Sequence, residues 1–224
     1  MICNEIADTR QCERVWELLE KEKKRKQYMT EWEKAQAGYL YDANYDEEIV
    51  KARIKCADLC YEFNNLRPSD SIRQKELLHK ILGEIRGDLV VTAPFYCDYG
   101  FHISVGNNFY TNHNCMILDG AKVTFGDNVF IAPNCVFSTA GHAIDPEQRA
   151  EGLEIALPIK VGNDVWIGAN VSVLPGVTIG DRTIIGAGSV VNRDIPSDVI
   201  AVGNPCRVVR KITEADRHRY PTAE

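Results

Sequence analysis

One of the five histidines in the chain stands where a side chain can be exposed in a cleft. His142 closes the sequence T-A-G-H, between an apolar repeat and a polar stretch. Histidine titrates near neutral pH, so it can take the proton of a weakly acidic hydroxyl. His142 is therefore a candidate general base, although a lone histidine is more often a surface or core residue. His79 and His218 are expected to face solvent, while His102 and His113 lie beside repeat motifs and are candidate pocket walls.

The elements that must position His142 begin with a row of aliphatic residues spaced six apart. A helix repeats its apolar face every three to four residues and a strand every two, so this period requires a flat stretch and a corner of fixed length. Gly and Asn recur at the corners, where positive φ is often needed. Hexapeptide repeats of this kind predict a parallel β-helix. The row consists of Val161, Ile167, Val173, Ile179, Ile185 and Val191.

The same step continues upstream with interruptions. Phe125, Ile131 and Phe137 open further hexads, and an earlier series that ends at Ile117 slips by two residues before Phe125. After Phe137 the pattern disappears until Val161 into a polar stretch. We interpret residues 138–160 as a loop that leaves the coil. Long loops within a compact domain are usually functional, so this one is the first place to look for chemistry.

The N-terminal part has helical rather than hexad spacing. Two segments, Asp46 to Asn64 and Ser69 to Leu82, predict helices, with Asp70 among the possible N-caps and Gly83 as a stop. A short helix is expected around Glu214 to Tyr220. The predicted order is a charged helical extension (1–28), a helical segment (29–86), a β-helix domain (87–212) and a C-terminal tail (213–224).

Composition narrows the partners and the compartment. The formal net charge of -6 disfavours nucleic acid and anionic membranes as partners. The eight cysteines contain no C-x-x-C pair and are expected to be reduced and structural. The chain shows neither a leader pattern nor an apolar run of about 18 residues, and no Walker-type loop, so a cytoplasmic protein that does not use ATP is expected.

Several longer motifs together resemble the maltose and galactoside O-acetyltransferases, which are hexapeptide-repeat enzymes with a left-handed β-helix. The resemblance extends from about Met29 to Arg219, whereas residues 1–28 depart from it. It implies a mainly β, left-handed parallel β-helix with an N-terminal helical segment and a short C-terminal helix. The motifs are MTEWEK at 29–34, AGYLYD at 37–42, YEFN at 61–64, CDYG at 97–100, NNFYTN at 107–112, IAPN at 131–134, TAGH at 139–142 and GNPCRV at 203–208.

The resemblance implies direct acetyl transfer from acetyl-CoA to a sugar hydroxyl, without an acyl-enzyme. It assigns His142 as the general base and places Asn112 where an amide can stabilise charge on the thioester oxygen. It also implies a homotrimer with active sites between subunits. Asp98 is the residue of the maltose branch, where the galactoside branch tends to have Ser, which favours a glucose-type acceptor. The acceptor-binding candidates are Asp42, Arg53, Asp98, Tyr110, Asp119 and Glu154.

Coenzyme A is expected along the later repeats. Small residues and an aromatic side chain would let the pantetheine arm approach the backbone, and arginines near the end would meet phosphates. The alternative is that the small residues are hexad spacers and the arginines ordinary surface residues. The candidates are Asn112, Trp166, Gly168, Ala169, Gly186, Ala187, Asn192, Arg193, Arg207 and Arg210.

Three other functions remain to be weighed. Some left-handed β-helices are zinc carbonic anhydrases with an H-x-x-x-x-H pair, but no two histidines here stand five apart, so no metal site is expected. A non-catalytic scaffold would explain the coil without His142. A xenobiotic or amino-sugar N-acetyltransferase of the same fold is the nearest alternative among enzymes.

Overall fold

The structure is a computed structural model that describes residues 28–221 together with Leu19 and Ala223. The predicted charged extension over residues 1–28 lies outside the described residues, apart from Leu19 and Tyr28. Within the described part, none of the helices has the length and apolar character needed to cross a membrane.

The N-terminal segment is helical, and its helices begin at side-chain caps. The Asp46 carboxylate accepts hydrogen bonds from two backbone N–H groups of the first turn, and Asp70 accepts one from Arg73. These bonds satisfy donors that a helix start leaves unpaired. Both predicted helices are confirmed, with ends shifted by one or two residues. The helices are α1 (Glu31–Gln36), α2 (Glu47–Asn64) and α3 (Ser71–Ile81).

The main body is a parallel β-helix with three flat faces, as the hexads predicted. Face 1 contains β2 (Glu84–Ile85), β5 (Ile103–Val105), β8 (Val123–Phe125), β13 (Ile159–Val161) and β16 (Thr178–Ile179). Face 2 contains β3 (Leu89–Val91), β6 (Phe109–Thr111), β9 (Phe130–Ile131), β14 (Trp166–Ile167), β17 (Ile184–Ile185), β19 (Val199–Val202) and the antiparallel β20 (Arg207–Lys211). Face 3 contains β4 (Phe95–Cys97), β7 (Cys115–Leu118), β10 (Val136–Ser138), β15 (Ser172–Val173) and β18 (Val190–Val191).

The aliphatic row forms the core of the β-helix. All six of its members are buried, with at most 3% of their surface exposed. Corresponding residues of successive coils stack in register, for example Phe125, Val161 and Ile179 on face 1. Each fully buried aliphatic side chain of this size contributes about 1.5–3 kcal/mol relative to exposure.

The corners use Asn and Asp in the left-handed conformation. Asn108 and Asn128 have φ of 53° and 55°, and Asp164 has a φ of 57°. Their side chains also form a ladder: the Asn108 amide donates to Asn128 over 2.9 Å, and the Asn128 amide donates to Asp164 over 2.8 Å. Short polar side chains tolerate this backbone conformation, which is why the corners favour them.

The coils differ in length at a single corner, the one from face 3 to face 1. The first two coils repeat after 20 residues, the third returns to register only after 36, the next repeats after 18 and the last after 16. The extra residues fall between Cys97 and Ile103, between Leu118 and Val123, and between Ser138 and Ile159. The two-residue slip in the sequence is therefore an enlarged corner.

The longest insertion is folded rather than a plain loop. It forms an antiparallel hairpin of β11 (Ala140–His142) and β12 (Leu153–Ala156), joined across the short helix α4 (Pro146–Ala150). The second hairpin strand also pairs with β1 (Tyr41–Asp42) from the N-terminal segment. This pairing is distant in sequence and has no hexad pattern, so the sequence indicated only a loop. At the other end, the predicted terminal helix is a 3₁₀ turn over Glu214–His218.

Candidate active site

A cavity of about 360 Å³ lies at the enlarged corner, beside the hairpin. It brings together four residues that the sequence had marked separately, His142, Arg53, Asp98 and Glu154. They come from β11, α2, the corner after β4, and β12. The cavity is lined by Arg53, Asp98, Leu118, Ser138, Ala140, Gly141, His142 and Glu154.

His142 faces Glu154 across the hairpin. The two residues are register partners in the β11–β12 ladder, and His142 Nε2 lies 3.9 Å from Glu154 Oε1. The His142 side chain is 57% exposed, whereas that of Glu154 is only 16% exposed. Tyr41, itself buried, donates its hydroxyl hydrogen bond to Glu154 Oε2 over 3.4 Å. The carboxylate is thus held in place beside an accessible imidazole.

Arg53 brings a partly unsatisfied guanidinium to the opposite wall. Its Nη2 donates to the Ala43 carbonyl over 2.7 Å and to the Tyr99 hydroxyl over 2.9 Å. Its Nε is buried and has no hydrogen-bond partner among the described residues. A buried donor without an acceptor is costly, so this nitrogen lowers the stability of the wall, while the guanidinium itself lines the cavity as a donor.

Asp98 shares this wall, and its environment opposes ionisation. Burial raises the pKa of the Asp98 carboxyl above its usual range, the Arg53 guanidinium acts in the opposite direction, and Glu154 adds to the rise. A carboxyl in these surroundings can accept a hydrogen bond when ionised and donate one when protonated.

Asp119 lies beneath the cavity rather than in its wall. The residue is fully buried, and its Oδ1 accepts hydrogen bonds from the backbone N–H groups of Asp98 and Tyr99, at 3.0 and 2.9 Å. Its Oδ2 accepts a longer one from His102 N. The carboxylate therefore shapes the corner that carries Asp98, and burial raises the pKa of Asp119 to about 6.

Three other predicted catalytic or acceptor residues do not line this cavity in the single chain, and neither do the two candidate wall residues His102 and His113. Asp42 Oδ1 accepts backbone hydrogen bonds from the two residues that end its turn, at 3.1 and 2.8 Å. Tyr110 lies on face 2, with its ring 6.5 Å from that of Phe130. Asn112 lies at the next corner, where its Oδ1 accepts from His113 N over 2.8 Å. The fold thus separates these three from His142.

Sequence reasoning missed four lining residues, Leu118, Ser138, Ala140 and Gly141. Leu118 and Ser138 are register partners at the end of face 3, and Asp98 occupies the equivalent place one coil earlier. The two-residue slip in the hexad spacing could have located this corner, because it marks the place where successive coils are enlarged. The slip alone does not show which residues of neighbouring coils stack there, since that depends on the strand register.

A second cleft, of about 410 Å³, lies between face 2 and the C-terminal segment. It contains two of the predicted cofactor residues, Trp166 and Arg210. Trp166 is 53% exposed, and Arg210 forms two hydrogen bonds of 2.7 Å with Asp216. Its other lining residues are Ile184, Ile200, Ile212, Asp216, Arg219 and Tyr220.

The remaining cofactor candidates lie at two corners of the later coils. Ala169 and Ala187 share the corner between faces 2 and 3 with Asn112, whereas Asn192 and Arg193 follow β18 at the next corner. Arg207 Nη1 donates to Asn192 Oδ1 over 3.4 Å.

Two of the predicted glycines have a structural role. A Cβ on Gly168 would lie 2.6 Å from Ala187 N, and one on Gly186 would lie 2.5 Å from a side-chain carbon of Val202. Both glycines are therefore needed for the close stacking of coils.

Comparisons with known proteins agree with this architecture. Residues 34–87 match the maltose acetyltransferase hexapeptide capping motif, and residues 158–193 match the bacterial transferase hexapeptide, with six repeats. A putative acetyltransferase of Saccharomyces cerevisiae is 53% identical over 179 residues, which are 80% of this chain and 91% of that protein. A galactoside acetyltransferase solved in complex with coenzyme A is 42% identical, with a TM-score of 0.83 over 87% of this chain and 97% of that one. A maltose O-acetyltransferase from Clostridium difficile is 46% identical, with a TM-score of 0.80 over 83% and 99%.

The three-faced coil of hexapeptide repeats and its helical cap, α1 to α3, define a hexapeptide-repeat acyltransferase. The chain belongs to the maltose and galactoside O-acetyltransferase family, and it is an acetyl-CoA-dependent acetyltransferase.

The buried Asp119 carboxyl gives a testable pH dependence. Its pKa is about 6 in the folded chain against an ordinary 3.8, so the folded state holds this proton more tightly than the unfolded chain does. This stabilisation is present below about pH 4 and is lost as the pH rises through about 6. We therefore expect the difference in free energy of unfolding between the wild type and Asp119→Asn, measured by urea denaturation, to decrease from about pH 4 to about pH 6. Asp58→Asn, on the exposed side of α2, is the control, and a flat difference would contradict the prediction.

Proposed function

We propose that this enzyme transfers acetyl from acetyl-CoA directly to a hydroxyl of a sugar of the maltose, glucose or galactoside type. The observation that carries the proposal is the cavity that joins His142 to Arg53, Asp98 and Glu154. A sugar presents hydroxyl groups that both donate and accept hydrogen bonds, and this wall offers a guanidinium donor beside two carboxyl groups. The similarity to the family identifies acetyl-CoA as the acetyl donor.

His142 acts as the general base in this proposal. Its imidazole takes the hydroxyl proton as the sugar oxygen attacks the thioester carbonyl carbon. The C–S bond then breaks, and the proton passes to the departing coenzyme A thiolate. Ser138 is the one hydroxyl side chain that lines the described cavity, and its Oγ donates to the Ala140 carbonyl over 3.0 Å. This arrangement pairs no nucleophile with His142, which supports transfer without an acyl-enzyme.

Glu154 is the residue that positions His142. The carboxylate stabilises the imidazolium that forms when the base takes its proton, because opposite charges attract strongly at this distance in a partly desolvated site. Its hydrogen bond from Tyr41 and its ladder position opposite His142 keep it from turning away.

Acceptor recognition is assigned to Arg53 and Asp98 directly. The Arg53 guanidinium, which lines the cavity, would donate to a sugar oxygen, and Asp98 favours a glucose-type acceptor over a galactoside. Asp119 holds the backbone of Asp98 in place through the hydrogen bond that it accepts from Asp98 N. Asp42 and Tyr110 remain acceptor candidates that require either movement or a neighbouring subunit to reach the cavity.

The outward residues of the three faces support the proposal of a trimer. Face 1 presents polar residues, whereas faces 2 and 3 present mostly apolar ones. Two different apolar surfaces on one subunit suit a head-to-tail ring. In such a ring, face 2 of one subunit packs on face 3 of the next. The outward residues are Glu84, Ser104, Thr124, Lys160 and Thr178 on face 1; Val90, Tyr110, Phe130, Trp166, Ile184 and Ile200 on face 2; and Tyr96, Met116, Val136, Ser172 and Val190 on face 3.

This ring would also complete the site. Tyr110 and Asn112 do not reach His142 within one chain, so a neighbouring subunit would bring them to it. Coenzyme A would lie in the same interface between two subunits, with its apolar arm against residues such as Ile184. Arg219 and Arg210 would lie near its phosphates, and the former has no salt bridge among the described residues. The second cleft combines apolar side chains with two arginines, of which Arg210 is already paired with Asp216 and Arg219 is the one left for a phosphate.

The proposed location is the cytoplasm. The six cysteines within the described range are all free, and reduced thiols are typical of that compartment.

An acceptor screen tests the substrate class. We expect acetyl-CoA to release thiol with glucose, maltose or isopropyl-thiogalactoside, because the cavity wall suits hydroxyl groups. Glucosamine and chloramphenicol are included as amine and drug acceptors, with product analysis to distinguish O- from N-acetylation. Turnover on glucosamine nitrogen or on chloramphenicol alone would contradict the sugar hydroxyl assignment, and coenzyme A binding with no turnover on any acceptor would favour a scaffold.

The base assignment is tested with His142→Ala. Turnover should fall by about 10² to 10⁴, the usual contribution of a general base, while coenzyme A affinity and the oligomer are kept. His79→Ala, an exposed histidine on α3, is the matched control in the same steady-state assay. Near-normal turnover of His142→Ala would remove this residue from the mechanism.

The trimer is tested by placing one charge on each kind of face. Phe130→Glu puts a carboxylate on the apolar face 2, whereas Thr124→Glu, six residues earlier, puts it on the polar face 1. We expect the first to dissociate the trimer in sedimentation experiments, because a charge buried in an interface is strongly destabilising. The second should remain trimeric. Equal behaviour of the two variants would contradict the proposed use of faces 2 and 3.

A further inference from the structure

Three cysteines meet behind the active-site cavity. Cys56 and Cys60 lie one helical turn apart on α2 and face Cys97 at the end of β4. The Sγ of Cys97 lies 3.5 Å from that of Cys56 and 3.8 Å from that of Cys60, and all three sulfur atoms lie within 4.8 Å of one another. None of the three is in a disulfide.

The sulfur spacing matches that of thiolates around one metal ion. A metal–sulfur distance of about 2.3 Å places two tetrahedral sulfur ligands about 3.8 Å apart. Two of the three pairs are already within 0.3 Å of that value. Thiolates are soft ligands that select Zn²⁺ and Cu⁺ over Mg²⁺ or Ca²⁺.

The surroundings allow entry and hold the ligands in place. Two of the cysteines, Cys60 and Cys97, line a cavity of about 600 Å³ that also contains Tyr61, Asn64 and Tyr96. This space admits an ion and has room for a water molecule as a fourth ligand. The Asn64 side chain accepts from Phe95 N over 2.8 Å and donates to Phe95 O over 2.9 Å, which fixes β4 against α2. Cys97 is thereby held opposite the two helical thiols.

We propose that Cys56, Cys60 and Cys97 form a binding site for one thiophilic cation of the Zn²⁺ type, with the fourth position open to the cavity. On binding, each thiol loses its proton to solvent and donates a sulfur lone pair to the metal, with no change of oxidation state. The acetyl transfer itself requires no metal in this scheme. The sequence missed the site because Cys97 is 37 residues from Cys60 and only the fold brings it to the helix.

The position of the site suggests what the ion would do. Cys56 lies one turn after Arg53 on α2, and Cys97 directly precedes Asp98. A metal that joins α2 to β4 would fix the spacing of these two cavity residues. This consequence rests on the proposed function, whereas the metal site itself does not.

The site is tested with Co²⁺ as a spectroscopic probe and Zn²⁺ as competitor. The full-length chain should carry Cys3→Ser and Cys12→Ser, so that the two N-terminal thiols cannot contribute. We expect one Co²⁺ per chain, with a thiolate-to-metal absorption band that Zn²⁺ abolishes. Cys56→Ser, Cys60→Ser and Cys97→Ser should each weaken binding by about 100-fold or more, because a ligand is lost. Cys206→Ser, a buried cysteine outside the cluster, should bind as the parent does.

Thermal unfolding of each metal-free variant provides the folding control. Only variants that unfold cooperatively are compared. The parent protein gives a second test that needs no variant. Bound Zn²⁺ should protect three of its thiols from a thiol reagent and raise its unfolding temperature. Absence of a saturable thiolate band in the parent, or a band unchanged in the three serine variants, would overturn the site. Metal binding in a protein that acetylates no sugar would leave the site intact and refute the proposed function alone.

Discussion

The fold depends on one constraint: every coil must return to the same three faces so that its backbone groups pair with those of the coil before it. The strands of each face are only two to four residues long in most coils, so none could satisfy its hydrogen bonds alone. In-register stacking supplies the partners and at the same time buries the aliphatic row. A residue that does not fit the hexad must therefore leave the coil at a corner.

That constraint explains where the candidate cavity lies. The extra residues of three successive coils all leave at the corner between faces 3 and 1, so Asp98, Leu118 and the start of the hairpin stack into one wall. The hairpin then extends beyond the coil and pairs with β1, which ties it to the helical cap. His142 acquires exposure and Glu154 acquires partial burial from the same pair of strands. The hexad coil thus positions His142 and Glu154, although both residues lie on the hairpin outside the coil.

The helical cap contributes more than a cover for the first coil. Its helix α2 supplies Arg53 to the cavity and two thiols to the cluster behind it, and β4 supplies Asp98 and Cys97 to the same two places. The cap and the first coil therefore share both sites. The outward faces divide in a similar way, since the polar residues of face 1 suit solvent and the apolar residues of faces 2 and 3 suit other subunits.

The sequence by itself determined the parallel coil of hexads, the two longer cap helices and the place where the coil is interrupted before His142, because hexad period, N-caps and loop length are local properties. It also marked Arg53, Asp98 and Glu154 through the family resemblance. Only the tertiary structure decided that Asp119 supports the corner from beneath, that the expected loop is a hairpin paired with β1, and that Cys97 meets α2. These outcomes depend on contacts between residues far apart in the chain, and such contacts are set by the register of stacked coils rather than by any local pattern.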